Sequence, residues 1–258
     1  MSKMTKWLPL LALTIACQMT VTLYADDSNR GFEIMKKVRG QSRMHKTQKG
    51  EVYMVIKDKR DRERARHFNL IKKINAPMTN SLIKFFKPAN IKGTALLTES
   101  KDGDEDNDQW VYLPAFKTTK RLSTEEKNQS FMGSDFSYSD IAGRHLGQDE
   151  HTLMKEDEKY FYVRSIPKDS KDAYSQIDYV VSKKIWVHRR IVFYDKSNSK
   201  LKTLYNKSVK KIKGMYVVTN SIMKNHKSKG QTQLQVKKID VGIPVTDSQV
   251  SFKGLKSI

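Results

Sequence analysis

Residues 109–142 read QWVYLPAFKTTKRLSTEEKNQSFMGSDFSYSDIA, and the reading of this stretch decides the fold. It holds Trp110, Tyr112, Phe116, Phe131, Met132, Phe136 and Tyr138 among the cations Lys117, Lys120 and Arg121. Gln109–Leu113 has the composition of a β-strand and stops at Pro114, which cannot donate to a ladder. Ser130–Asp140 is a glycine-hinged aromatic turn leading into a short helix, and a polar link joins the two pieces. Such an apolar load on so irregular a segment calls for a partner surface.

On either side of the stretch the chain is dominated by strand patterns. Glu51–Lys57, Arg62–Asn75, Ser81–Lys87 and Lys92–Glu99 precede it. His151–Met154, Lys159–Pro167, Ser175–Ser182, Ile185–Asp195, Lys200–Lys211, Met215–Asn225 and Gln231–Asp240 follow it. Short polar turns such as 196–199 (KSNS) and 227–230 (KSKG) connect them. Pro88 and Gly93 mark a corner where the sheet bends. This spacing predicts a mainly β, α+β domain built as one antiparallel meander of about eleven strands. A flat sheet of that width is unusual, so strong curvature or partial closure is expected. One early helix, Asp27–Gln41 with Gly40 near its stop, and the short central helix are left to cover the open face. On Arg62–Asn75, Arg64, Arg66, Phe68 and Leu70 share one face that passes from cationic to apolar: a solvated outer face, or a cationic rim beside an apolar groove.

Lys+Arg number 49 against 28 Asp+Glu, a formal net charge of +21, which favours anionic partners. The N-terminus narrows the choice. Lys3 and Lys6 precede an apolar run that ends at Ala25 before Asp26 and Asp27, the anatomy of a secretory signal peptide at residues 1–25. The expectation is export to the periplasm, with residues 26–258 as a single domain. Export disfavours nucleic acid and favours an anionic membrane surface. Cys17, the single cysteine, lies inside the signal in an imperfect lipobox, and ordinary cleavage is favoured over lipidation there. A chain cut after Ala25 has no disulfide, thiolate metal site or cysteine nucleophile.

Catalytic signatures are missing. The six histidines form no HExxH or close ligand pair, and no GxSxG, Walker or GxGxxG motif occurs. The acids of 102–108 fail the calcium-loop spacing and read as a hairpin loop. Ser134, Asp135, Ser137 and Asp140 read as helix capping, with Ser137-x-x-Asp140 a weak capping box. No cofactor, metal or catalytic residue is expected, and the protein is expected not to be an enzyme.

The pattern WxYLPA followed by basic residues, then SFMGSDFxYxD, stands at Trp110–Ala115 and Ser130–Asp140. It resembles the bacterial outer-membrane lipoprotein-sorting proteins, in the LolA-like branch typified by a treponemal lipoprotein domain. Further matches are Phe86–Leu97, with Asn90 for the family's Asp and the closing Leu one position early, Phe193–Leu204, and Asp240–Pro244. The likeness runs from about residue 30 to the end.

The resemblance implies a strongly curved, incomplete antiparallel β-barrel with helices across its concave face. It implies a periplasmic carrier that shelters acyl chains of a lipid or lipoprotein, in a branch often associated with exporters of the resistance-nodulation-division type. The family's lid arginine has no counterpart that can be placed here, so the cargo does not transfer. On this view Trp110, Tyr112, Phe116, Phe131, Met132, Phe136 and Tyr138 are candidate cavity lining, with Lys117, Lys120 and Arg121 as a candidate cationic rim. The same aromatics also suit ordinary core. The alternative function is a non-carrier accessory or sensor subunit of an envelope complex that reuses the fold.

Overall fold

A computed structural model describes residues 14–103 and 107–257, with side chains from residue 26 onward. Residues 1–13 of the expected signal peptide, and the side chain of Cys17, lie outside that description. The predicted early helix is present within a longer one, α1 (Thr14–Ser42), which runs two residues past Gly40. Among the described residues no helix is long and apolar enough to cross a membrane.

Among the described residues thirteen strands form a single antiparallel sheet. They are β1 (Thr47–Lys57), β2 (Glu63–Asn75), β3 (Met78–Lys87), β4 (Ala95–Lys101), β5 (Asp108–Leu113), β6 (Thr118–Arg121), β7 (Asp149–Glu156), β8 (Tyr160–Pro167), β9 (Gln176–Ser182), β10 (His188–Tyr194), β11 (Lys200–Ile212), β12 (Met215–Asn225) and β13 (Gln231–Val241). The count exceeds the expected eleven, and β6 is a strand within what read as a polar link. The sheet is not closed into a barrel: β6 and β7 remain unpaired edges, in keeping with the expected incomplete barrel.

The topology differs from one continuous meander. The spatial order is β6-β5-β4-β3-β2-β1-β13-β12-β11-β10-β9-β8-β7. Two meanders therefore meet at β1 and β13, the first and last strands, while β6 and β7 are the two edges. Residues 122–148 must carry the chain from one edge to the other. This strap contains α2 (Thr124–Lys127), the turn Phe131–Gly133 and α3 (Tyr138–Ala142). Asn107, which precedes β5, hydrogen-bonds His145 and donates to the carbonyl of Gly143 at 2.9 Å. Residues near opposite edges thus meet, as strong curvature requires.

Period-two alternation sorts the side chains. Val52, Met54 and Ile56 of β1, Phe68 of β2, Phe85 of β3 and Leu96 of β4 enter one large core with Ile34, Met35 and Val38 of α1. Gly31 lets α1 descend onto β7: a Cβ there would stand 2.6 Å from the carbonyl oxygen of His151. The opposite face of β2–β5 carries a second core of Leu82, Ala95 and Leu97, covered by Val245, Val250 and Leu255. The last of these lies on α4 (Phe252–Lys256). So α1 and the strap helices pack on the concave-side core, as expected, and α4 in addition covers the convex face. The unbroken run Ala95-Leu-Leu97 explains it, since a strand apolar on both faces needs cover on both.

Candidate functional site

The SFMGSDF turn packs into the concave-side core as a plug tied down at several points. Met132 (φ 51°) and Gly133 (φ 75°) are both left-handed, which folds the chain back on itself. The amide of Phe131 donates to the carbonyl of Phe136 at 2.7 Å, and Ser130 Oγ donates to the carbonyl of Ser134 at 2.6 Å. Arg66 Nε on β2 reaches the carbonyl of Met132 at 2.9 Å, while Thr232 Oγ1 on β13 donates to Asp135 at 2.7 Å. Arg66 is thus on an inward face, resolving the two readings of its strand. Burial, with the charge of Arg64, lowers its pKa. Held this way, the Phe131 ring stands 5.7 Å from that of Phe85 and 5.4 Å from that of Tyr138, centre to centre.

Beside the plug a cavity of about 610 Å³ remains. Met35 and Val38 of α1 form one wall, Phe136 and Ala142 of the strap another, and Ile191, Phe193, Leu204, Val217 and Met223 of β10–β12 the floor. A volume in the range of roughly 300–1,000 Å³ suits a small organic ligand.

Polar groups punctuate these walls. Asp140 receives the amide of Ser137 at 2.7 Å and the hydroxyl of Tyr174 at 2.7 Å, and forms an ion pair with Lys202 of β11. The ammonium of Lys202 lies 5.2 Å over the Tyr174 ring and 5.3 Å over that of Phe193. Burial and then the Asp140 carboxylate push the Tyr174 phenol well above its ordinary pKa, so it stays a donor. Arg144 pairs with the nearly inaccessible Asp149 and with Asp172 at 2.8 Å. Burial alone would lower its pKa, but the Asp149 hydrogen bond and the two acids outweigh that and raise it.

Three histidines also line the cavity, and His145 among them is the partner of Asn107. His151 spends both ring nitrogens, on Ser165 Oγ at 2.6 Å and the carbonyl of Leu146 at 2.9 Å. His188 has no hydrogen-bond partner at Nε2. Burial, with a smaller contribution from His151, pushes its pKa down to about 4. It is a neutral imidazole at neutral pH. Among the described residues no group of His, Cys, Asp and Glu is placed to hold a metal ion.

The predicted lining divides. Phe136 lines the cavity, whereas Phe131 is 1% exposed inside the core, with Met132 and Tyr138 packed against that core. Trp110 and Tyr112 are on the other side of the sheet, in the second core, with Trp110 edge-on to Phe252 at 4.9 Å. Alternation makes this unavoidable, because Gln109 and Val111 take the inward positions. Gln109 is fully buried there, donating to Thr98 Oγ1 at 3.3 Å and to the carbonyl of Tyr138 at 3.0 Å. Phe116 sits in a turn at 75% exposure and lines nothing.

The predicted rim is also displaced. Lys117, Lys120 and Arg121 do not line the cavity. Lys120 pairs with Glu126 and Arg121 with Asp108, and both stand on edge strand β6. The cations that line the cavity are instead Arg39, Lys127, Arg144 and Lys168; Arg39, near the end of α1, shares Asp102 with Arg43 (2.6 and 3.0 Å), and Lys72 of β2 lies close to that pair. Burial, then the charges of Arg43 and Arg39, pushes Lys72 down to about 8. Sequence reading missed this group because its members lie on separate elements. A lysine at an inward position of β2, two residues past Leu70, was the available signal.

A family model described as an uncharacterized protein matches residues 78–257. A DUF1329 family protein from Desulfovibrio piger is 25% identical, with 89% of this chain and 99% of that one covered at a TM-score of 0.84. A domain described as a candidate outer membrane lipoprotein-sorting protein from Vibrio parahaemolyticus is 24% identical, with 89% and 100% covered at a TM-score of 0.84. A LolA superfamily protein from Nitrosomonas europaea is 21% identical, with 86% and 97% covered at 0.69. No curated protein gives a significant match. The chain belongs to the DUF1329 family of uncharacterized proteins and has the LolA-like, lipoprotein-sorting type of fold.

Proposed function

We propose that this protein is a periplasmic carrier that shelters an acyl chain of a lipid or lipoprotein in the cavity beneath α1 and the strap. The observation that carries this reading is the cavity itself, about 610 Å³ with Val38, Ile191, Leu204, Val217 and Met223 in its walls. Each buried methylene gains about 0.8 kcal/mol, so ten give a gross gain of about 8 kcal/mol without any catalytic group. Methionines in the wall adapt to chains of different shape. The reading involves no chemical step on the cargo. An exporter of the resistance-nodulation-division type, as the sequence resemblance implies, would be the membrane partner.

The test is mass spectrometry of organic extracts from protein purified without detergent from its native periplasm. Acyl species at near-stoichiometric amounts are expected. Leu204→Trp, which fills the floor, should lose them while remaining folded. Wild-type protein free of acyl species, and unable to bind a fluorescent fatty acid, would overturn the reading. The polar walls favour a second reading, a sensor or accessory subunit of an envelope complex that takes a smaller polar ligand beside His188. Extracts containing such a ligand and no acyl chain would support it.

A further inference from the structure

Strands β12 and β13 are paired over only part of their length. Their ladder runs from Lys224↔Gln231 to Asn220↔Gln235 and stops. Beyond it β12 continues back to Met215, paired with β11 as far as Ile212↔Met215. β13 continues to Val241, paired with β1 as far as Gln48↔Val241. Residues 215–219 and 236–241 therefore face each other with no ladder between them, in the middle of the sheet.

The divergence has a local cause. The β1–β13 register shifts between Glu51 and Val52, leaving Lys237 without an opposite residue. The β11–β12 register shifts twice between Asn206 and Val209. Bulges bend a strand and increase its twist, and these flank the unpaired segments on both outer sides. The opening is bounded at both ends. Gln233 Nε2 donates to Asn220 Oδ1 at 2.8 Å at one, and Lys213 Nζ donates to the carbonyl of Val241 at 3.0 Å at the other.

The two sides of this slit differ in chemistry. Inside, Met215, Tyr216, Val217 and Val218 belong to the cavity wall. Around it, Lys207, Lys210, Lys211, Lys213, Lys237 and Lys238 are all exposed. Among the described residues only Lys238 of these forms an ion pair, with Asp240 at 3.8 Å. Lys211 lies 5.5 Å over the Tyr216 ring and Lys237 lies 5.3 Å over the Tyr53 ring, which holds both ammonium groups at the sheet.

We propose that the slit between β12 and β13 is a side portal of the cavity for an amphiphile with an acyl chain and a phosphate head. The chain passes between the strands over Val217 and Val218. The phosphate stays outside among the lysines, and unpaired backbone amides along the lips donate to the oxygens of the head-to-chain linkage. The proposal rests on the carrier reading and adds to it the route and the head-group class.

The test uses full-length wild-type protein and lysophosphatidylglycerol bearing a photoreactive diazirine either next to the glycerol or at the chain tip. The head-proximal probe is expected to label residues 215–219 or 236–241, and the tip probe the cavity floor around Ile191 and Leu204. Head-proximal labelling confined to the strap, residues 122–148, would overturn the portal and leave the carrier reading standing. Absence of saturable labelling by either probe would remove both. In a second arm, Lys211→Glu/Lys237→Glu, at exposed positions, should weaken binding of lysophosphatidylglycerol at least tenfold at low salt. A monoacylglycerol with the same chain should be unaffected. Equal losses for both ligands, or none for either, would overturn the phosphate assignment.

Discussion

Phe131→Ala separates a fixed plug from a gate that cargo displaces. The Phe131 ring is 1% exposed and meets the rings of Phe68, Phe85 and Tyr138 at 6.5, 5.7 and 5.4 Å. Truncating a buried Phe to Ala costs about 3–5 kcal/mol. Each well-placed aromatic pair adds about 0.5–1.5 kcal/mol beyond area, which sets the expectation toward the upper end. With a urea m-value of about 2–3 kcal/mol/M, a loss of about 4 kcal/mol lowers the unfolding midpoint by roughly 1.3–2 M. Tryptophan fluorescence during urea titration reads that shift. Phe116→Ala, at the 75% exposed turn, is the control and should stay within about 0.5 kcal/mol of wild type. A loss below about 1 kcal/mol for Phe131→Ala would refute the plug, because the ring would then leave its site as cheaply as a gate must.

Lys202→Met should lose about 3–5 kcal/mol in the same titration, because it leaves the Asp140 carboxylate, 5% exposed, without its counter-ion. Adding Asp140→Asn should recover part of that loss. His188, held near pKa 4 against an ordinary 6.5, binds its proton more readily in the unfolded chain, so stability falls as pH drops from about 6.5 towards 4. His188→Phe should remove up to about 3 kcal/mol of that pH dependence, measured by thermal melts across the interval. Lys72, held near 8 against 10.5, lowers stability at neutral pH, so Lys72→Met should raise it by about 1–3 kcal/mol. That gain should shrink as the pH is taken from 8 towards 10.5.

Local alternation made most strands legible. Val52, Met54 and Ile56 mark β1 on sight, and the corner at Pro88 and Gly93 falls where the chain turns. β6 escaped because Thr118-Thr-Lys-Arg121 is an exposed edge strand with no apolar face to read. The capping box at Ser137 and Asp140 is formed as its spacing suggests. Facing was harder. Trp110 and Tyr112 must share a face, but alternation does not say which, and polar Gln109 made their side look like the inward one. The structure takes Gln109 inward because Thr98 and the Tyr138 carbonyl satisfy its amide. The cavity floor was illegible for another reason: His188, Leu204, Val217 and Met223 meet Val38 and Phe136 only through long-range closure of the sheet.

The meeting of β1 with β13 has a consequence for how the chain acquires its structure. A polypeptide delivered from its N-terminus completes β1 early, with one side paired to β2 and the other unsatisfied. That side waits for nearly the whole remaining sequence before its partner arrives. Non-local pairing of this kind places folding in the slow, millisecond-to-second regime. During that wait the exposed edge, carrying Val52, Met54 and Ile56, is a template for aggregation. Folding of the two halves should therefore be gated by the last strand, and shortening the chain before Gln231 should yield insoluble protein rather than a smaller working sheet.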